Sequence, residues 1–485
     1  MDSNKKNIYS QIIKYTGIFG SIQGLSILTG VVRNKIVALM LGTAGMGLLS
    51  LLTTTVSFLS QATSLGLSFS SVREIAACKE RGDREGIARC ATVIRAWSMV
   101  AALVGAVVCA VSCRWIDKLT FTWGDHSLHY LLLSPAIAIM AVTAGETAIL
   151  KGMHRLKALA VVQLITALGA LVITIPLLHF FGESAIVPII VLTALGTMLV
   201  TIAYSCSTVR PKLPQYRKWP GTLKDGGPMV KLGLAFVSAA IMGSGTELVI
   251  RAYLNVNGGL GAVGLYNAGY MLAVTYAGMF FSSMESDYYP RLAAVNHDMR
   301  KVSRLVGYQT EVSLTLVAPM MCVFILSLPV IVPLLFSSKF NDAIPMAQAM
   351  ALTMMCKAVS LPVNYTMLAK GDSRLYVALE GLSYVMTISG VIIGYNCGGL
   401  VGTGIGLAMA YAVELVVNCI CLHIRYGLTL HAKLLAYFAV QMAMVITVYA
   451  STYLYDTALR WVVGVGITIM CSAYSLRMLK SNLQH

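Results

Sequence analysis

Apolar residues form long runs along the whole 485-residue chain, and short polar segments separate these runs. Each run holds about 20 residues, the length that an α-helix needs to cross a hydrocarbon core roughly 30 Å thick. We predict fourteen such helices, near residues 12–32, 46–69, 96–114, 130–150, 158–180, 184–206, 229–254, 264–286, 308–336, 345–369, 375–396, 400–424, 434–455 and 459–477. The pattern therefore predicts an all-α polytopic membrane protein.

The charged residues agree with this class and give an orientation. Only 12% of the residues are charged, against about 25% in a soluble globular protein. The net charge of +16 comes from Lys and Arg that concentrate in every second loop, near residues 73–95, 210–224 and 291–304. Cytoplasmic loops carry such an excess, so we predict a multi-pass membrane protein with both termini in the cytoplasm. The basic charge reflects this topology, and no nucleic-acid partner is expected.

Two pairs of arginines at one spacing indicate an internal duplication. Arg33 and Arg251 lie 218 positions apart, as do Arg73 and Arg291, and "LGTAGMGLLS" at residue 41 recurs as "LGAVGLYNAG" at residue 260. We predict an N-terminal six-helix bundle over residues 1–206, a cytoplasmic linker over 207–228, a repeated six-helix bundle over 229–424 and two extra helices over 425–485. Both bundles then insert in the same direction, and transporters built in this way have their substrate path between the two halves.

Three segments of the chain resemble those of the Wzx-type O-antigen flippases: "GVVRNKIVALMLGTAGMGLLSL", "RAYLNVNGGLGAVGLYNAGYMLAV" and "SDYYPRLAAV". These flippases are polysaccharide transporters of the MOP superfamily, which also holds lipid II flippases and multidrug (MATE) exporters. The resemblance implies two parallel six-helix bundles in a MATE-like V shape, with two added C-terminal helices. It also implies a flippase of the cell inner membrane that moves undecaprenyl-diphosphate-linked oligosaccharides from the cytoplasmic to the outer leaflet by alternating access. The identity of the sugar does not carry over, because the family is divergent in sequence.

Four basic residues are candidates for a cationic cavity that binds the head group of such a substrate. Lys357 lies near the middle of the tenth span, while Arg33, Lys35 and Arg251 end the first spans of the two halves. A charged residue within a span usually faces a cavity, and Arg binds phosphate through two parallel hydrogen bonds. Two alternatives stay open: Lys357 pairs with a Glu on another helix, and the other three are interface anchors that set the depth of their helices.

Five acids lie within the predicted spans, namely Glu146, Glu247, Glu311, Glu380 and Glu414. The candidates for coupling transport to an ion are Glu414, Glu247 and Glu146. A buried carboxylate can bind H⁺ or Na⁺ and so drive a transport cycle. The alternative is that these acids are ion-pair partners of Lys357 and the arginines. Glu247 lies one helical turn before Arg251, which favours a structural pair between these two residues.

The sequence gives no indication of catalysis, of a cofactor or of a metal site. Most of the eleven cysteines lie inside apolar spans and show no clustering of the kind that metals need. The glycine-rich stretch "CGGLVGTGIGLAMA" leads into a span and follows no strand, so we interpret its glycines as helix-packing residues. A Walker motif and a nucleophile–base constellation are both missing from the sequence, so neither an ATP-driven mechanism nor an enzymatic activity is expected.

Three other functions compete with a flippase. A MATE-like cation-coupled exporter of small molecules or drugs should have a site rich in acids and poor in bases. A membrane-embedded polymerase or ligase for the same glycans would need catalytic residues in a sizeable outer loop, and the predicted outer loops are short. A structural scaffold would need no charges in mid-span. The expected partners are the lipid-linked glycan, membrane lipid, H⁺ or Na⁺, and the machinery that polymerises the glycan.

Overall fold

The computed structural model describes residues 2–121, 124–209 and 219–483. Thirteen α-helices make up most of the described part of the chain. They are α1 (Asp2–Thr63), α2 (Leu67–Glu80), α3 (Arg84–Thr120), α4 (Ser127–Gly152), α5 (Leu156–Phe181), α6 (Ile186–Thr208), α7 (Trp219–Tyr270), α8 (Ala277–Ala294), α9 (Met299–Leu335), α10 (Ile344–Lys370), α11 (Ser373–Tyr426), α12 (Ala432–Ser451) and α13 (Thr457–Leu483). No β-strand occurs in these described ranges, and the prediction of an all-α membrane fold is confirmed.

Three of the helices are broken by glycines in the left-handed region of the backbone. Gly42 has φ 66° within α1, Gly259 has φ 74° within α7, and Gly399 has φ 57° within α11. Only glycine adopts this conformation without a steric penalty. Divided at these breaks, the helices follow the bounds of the predicted spans. Nine helical stretches of the described residues are long and apolar enough to cross a membrane, so the count of fourteen stays a prediction.

The left-handed residues also repeat along the chain at one spacing. Gly42 and Gly259, and likewise Gly182 and Gly399, are separated by 217 positions. A third pair at this spacing is His154, whose φ is 50°, and Gly371, whose φ is 74°. Three matched turns support the predicted duplication, and their spacing differs by one residue from that of the arginines. The second copy is therefore one residue shorter than the first between each arginine and the left-handed turn that follows it.

The chain divides into two compact units, Met1–Gly261 and Ala262–His485. In the first unit, the core includes Leu52, Tyr130 and Ile137, which are all fully buried. In the second unit, α10 is buried along most of its length and contacts α9 and α11. Residues 210–218 of the predicted linker 207–228 lie outside the described residues, and the predicted domain bounds stay predictions.

The cytoplasmic segment predicted from residue 73 to residue 95 is helical rather than a loop. It contains α2 and the start of α3. Arg73 and Lys79 lie on the exposed face of α2, whereas Ile75 and Cys78 are buried on the other face. The prediction of a loop failed because a short amphipathic helix has too few apolar residues to register as a span.

Side chains on the outer faces of the long helices are apolar and exposed. On α3, Leu103, Val111 and Trp115 are 68%, 76% and 77% exposed. A soluble protein rarely exposes a contiguous apolar surface of this kind. The exposed apolar faces therefore agree with a protein whose surroundings are lipid.

Candidate functional site

A half-buried lysine lies between aromatic and small residues in the second unit. Lys357 of α10 has its Nζ atom 5.7 Å from the centroid of the Phe281 ring on α8. This distance is within the range of a cation–π interaction. A Cβ atom added to Gly278, one turn before Phe281, would lie 3.8 Å from the Lys357 Nζ atom. The glycine thus leaves room beside the ammonium group.

Two carboxylates of α11, one on either side of its glycine break, lie near this lysine. Glu380 accepts a hydrogen bond of 3.2 Å from the Tyr384 hydroxyl. Both Glu380 and Glu414 are close enough to Lys357 to interact with it electrostatically, and they also interact with each other. When all three groups are ionised, the cluster carries one positive and two negative charges.

Two asparagine amides connect Glu414 to α10. The Asn418 Nδ2 atom donates to the Asn364 Oδ1 atom at 2.9 Å and approaches the Glu414 Oε1 atom at 3.4 Å. Asn364 is itself a hydrogen-bonding partner of the Glu414 carboxylate. The arrangement brings together two predicted site residues, Lys357 and Glu414. Asn364 and Asn418 were not predicted as site residues. The only signal for them in the sequence is their spacing, since Asn364 follows Lys357 by two helical turns and Asn418 follows Glu414 by one.

Arg33 lies in the first unit, at the wall of a half-open cavity of about 510 Å³. Its Nε atom donates a hydrogen bond of 3.2 Å to the Thr174 hydroxyl on α5. The cavity lies among α1, α2, α4, α5 and α6 and is partly open, and Lys151 at the exposed end of α4 also lines it. Lys35 is half-buried on α1, two residues beyond Arg33. The sequence analysis did not identify this cavity, because its wall consists mostly of serines, threonines and alanines that only the fold brings to one face.

Arg251 occupies different surroundings from Arg33, although the repeat predicts equivalent positions. Its side chain is only 6% exposed. The Nε atom donates to the Ser50 hydroxyl of α1 at 3.0 Å, and a terminal nitrogen donates to the Glu247 carboxylate at 3.0 Å. The predicted pair between Glu247 and Arg251 is confirmed. Glu247 itself is 44% exposed and lines a groove of about 310 Å³ together with Gln61.

Glu146 forms a buried ion pair in the first unit. The Arg95 guanidinium donates to its two carboxylate oxygens at 2.7 and 3.1 Å. The side chains of Arg95 and Glu146 are 16% and 6% exposed. Arg95 also donates to the Val209 carbonyl at 3.3 Å and so joins α3 and α4 to the end of α6. A two-point contact of this kind fixes geometry as well as charge.

These environments differ in what they can do chemically. The cluster of Lys357, Glu380 and Glu414 can exchange H⁺ or a monovalent cation, because its carboxylates outnumber its cation. Arg33 belongs to a cavity large enough for a small polar ligand. Glu146 and Glu247 are each held by an arginine. Within the described residues, no group of three His, Cys, Asp or Glu side chains is placed to hold a metal ion.

Comparison with known proteins gives one family and several similar folds. Residues 12–296 match the model of a family described as "Polysaccharide biosynthesis protein". The lipopolysaccharide biosynthesis protein WzxC of Escherichia coli is 21% identical over 327 residues, which are 65% of this chain and 63% of WzxC. The chain therefore spans less than two thirds of that relative.

Two solved structures share the fold at low sequence identity. An inward-facing multidrug resistance MATE family transporter of the MOP superfamily has a TM-score of 0.67 at 15% identity, covering 82% of this chain and 94% of that one. The lipid II flippase MurJ in an inward closed conformation has a TM-score of 0.65 at 14% identity, covering 96% of this chain and 100% of that one. These similarities show that the chain shares the fold of these two transporters.

Proposed function

Because the chain belongs to the polysaccharide biosynthesis protein family, we propose that it is a flippase for undecaprenyl-diphosphate-linked oligosaccharides. The substrate is the repeat unit of an O-antigen, a capsule or an exopolysaccharide, and it moves from the cytoplasmic to the periplasmic leaflet of the inner membrane. The family match carries the proposal. The likeness of the fold to a lipid II flippase over 96% of the chain supports it.

The charged cluster of the second unit supplies a mechanism for coupling the movement to an ion. With Glu380 and Glu414 ionised, the carboxylates hold the Lys357 ammonium electrostatically. Binding of H⁺ or Na⁺ to a carboxylate cancels one negative charge and weakens this hold. The Lys357 ammonium then becomes available to the diphosphate of the substrate. Release of the ion restores the original state, so that alternating access of the two halves is linked to ion flow.

The remaining proposals concern the surroundings of the protein. Both termini are on the cytoplasmic side, in agreement with the basic loops. The glycan released on the outer side passes to polymerase machinery, while the prenyl tail remains in membrane lipid. Lys35 and Arg251 are proposed as further contacts of the head group, although Arg251 is already engaged by Ser50 and Glu247.

A second candidate function is a MATE-like cation-coupled exporter of drugs or other small molecules. The observation that favours it is the pair of carboxylates, Glu380 and Glu414, together with a fold that matches MATE transporters. Lys357 argues against this candidate, because its positive charge lies beside the carboxylates that would bind a cationic drug.

Complementation separates the two candidates. Cells that lack their own O-antigen flippase would express the wild-type chain, Lys357→Ala or the control Lys301→Ala, whose side chain is 68% exposed. We expect surface glycan with the wild type and with Lys301→Ala, and its loss with Lys357→Ala at equal membrane levels. Export of a cationic dye without restoration of glycan would replace the flippase by the exporter.

A further inference from the structure

The half-open cavity of the first unit has hydroxyl side chains and two basic residues in an otherwise apolar wall. It measures about 510 Å³ and lies among α1, α4, α5 and α6. Serine and threonine side chains from α1, α2, α4 and α6 line it, and Arg33 and Lys151 are its charged residues. The described residues of the wall include no carboxylate. Polar groups inside a membrane protein are costly unless a ligand or water meets them.

The threonine hydroxyls of this wall act as hydrogen-bond acceptors toward the cavity. Each of four threonines donates its single proton to a carbonyl of its own helix, with distances of 2.6–2.8 Å: Thr53 to Leu49, Thr143 to Ile139, Thr193 to Ile189 and Thr197 to Thr193. A hydroxyl has one proton and two lone pairs. Once the proton is committed to the helix, the oxygen can only accept from a ligand.

The two basic residues supply the opposite property. Lys151 and Arg33 carry donors and no acceptor, and a guanidinium has five N–H groups, of which Thr174 accepts one. The wall thus presents acceptors from the threonines and charged donors from Arg33 and Lys151. A ligand that satisfies both must carry its own hydroxyl donors and an anionic acceptor.

The repeat provides an independent observation on this place in the fold. The spacing of 217 that relates the left-handed turns also relates three cavity residues, Met140, Thr147 and Thr197, to Lys357, Asn364 and Glu414. The wall of the first-unit cavity therefore corresponds to the charged cluster of the second unit. Two of the three positions are polar in both halves, with Thr147 and Thr197 in one and Asn364 and Glu414 in the other, while Met140 takes the place of Lys357.

We propose that the first-unit cavity binds an acidic sugar, a ring whose hydroxyls donate to Thr53, Thr143, Thr193 and Thr197 and whose carboxylate accepts from Arg33. This inference rests on the proposed function and deepens it, because it makes an anionic sugar part of the transported glycan. Inorganic phosphate fits less well, since it would leave the threonine acceptors with too few donors. A metal cation would be repelled by Arg33 and Lys151.

The test is direct binding to the purified full-length protein in detergent, measured by isothermal titration calorimetry with glucuronate, glucose, inorganic phosphate and Na⁺. The variants are Arg33→Gln and Thr197→Val. The matched control is Thr447→Val, since Thr447 makes the same kind of bond to the Ala443 carbonyl on an exposed face of α12. Size-exclusion elution and melting temperature establish that each variant is folded.

We expect glucuronate to bind at least about tenfold more tightly than glucose, because its carboxylate makes a charge-assisted bond to Arg33. Arg33→Gln should remove this preference, Thr197→Val should weaken glucuronate binding by about threefold to tenfold, and Thr447→Val should change nothing. Equal binding of glucose and glucuronate, preferred binding of phosphate or Na⁺, or unchanged binding in a folded Arg33→Gln would overturn the inference.

Complementation distinguishes this inference from the flippase proposal. If surface glycan is restored and glucuronate does not bind, the acidic-sugar site is wrong and the flippase stands. If glucuronate binds as expected and no glycan is moved, the site stands and the flippase is wrong.

Discussion

Replacing Glu146 by glutamine removes one charge from the buried pair with Arg95 and leaves the other charge in place. The two bonds of 2.7 and 3.1 Å would be replaced by a single neutral contact, around a guanidinium that is only 16% exposed. Breaking a buried ion pair by removing one partner costs about 3–5 kcal/mol. For a unit of this size, a loss of that magnitude lowers the melting temperature by on the order of 10 °C.

The assay is a double-mutant cycle on the purified protein, followed by thermal denaturation. Glu146→Gln, Glu146→Leu and Arg95→Met should each be strongly destabilising. Arg95→Met combined with Glu146→Leu closes the cycle and should recover most of the loss, because no unpaired charge then remains. The double variant should also restore surface glycan in the complementation assay. Additive losses in the cycle, or a stable double variant that has lost transport, would refute the structural role and return Glu146 to the candidates for ion coupling.

Three further predictions follow from other parts of the fold. Gly402→Ala should destabilise the second unit by about 1–3 kcal/mol, because a Cβ atom at this position would meet the Gly394 carbonyl oxygen at 2.0 Å. Gly466→Ala is the control, because a Cβ atom there would meet open space. Equal melting temperatures of the two variants would contradict the close packing of the two halves of α11. Hydrogen bonds from the Leu375 backbone N–H and the Tyr426 hydroxyl lower the pKa of the Asp372 carboxyl, which caps α11. The stability that this cap contributes should be present above the ordinary Asp pKa and should disappear as the pH falls through the lowered pKa. If the melting temperature of Asp372→Asn keeps the same dependence on acid pH as the wild type, this cap is not the source of that dependence. Burial lowers the pKa of His126, which lies near His129, Asp117 and Asp125. The unfolded chain therefore takes up a proton at His126 before the folded chain does, and the stability of the fold should decrease as the pH drops below the ordinary His pKa. His126→Gln should reduce this decrease, and an unchanged pH profile of stability would assign the decrease to another group.

Much of the fold was predictable, because each span leaves a signal in its own stretch of sequence. Length and hydropathy predicted membrane helices, the paired arginines predicted a duplication, and the left-handed turns Gly182 and Gly399 agree with that prediction. The breaks at Gly42, Gly259 and Gly399 lie between predicted spans, because a glycine-containing phrase between two apolar runs is a turn signal. The amphipathic helix α2 was missed, because its apolar face is short.

The candidate sites were less predictable, because their chemistry depends on contacts between distant segments. Lys357 has no acidic neighbour in its own sequence, and its carboxylates come from α11. Arg33 and Arg251 occupy matching positions of the repeat, yet one contacts Thr174 and the other contacts Ser50 and Glu247. Local spacing identified only the pair one helical turn apart, Glu247 and Arg251.

The central claim is that this chain moves a lipid-linked oligosaccharide across a bilayer. The most direct measurement uses purified protein in vesicles that contain a fluorescent undecaprenyl-diphosphate oligosaccharide, with a membrane-impermeant quencher that reports the outer-leaflet fraction. The proposal predicts faster exchange between leaflets than in protein-free vesicles, and a loss of this gain with Lys357→Ala but not with Lys301→Ala. Exchange no faster than in protein-free vesicles, from protein that is folded and that exports a cationic dye, would contradict it.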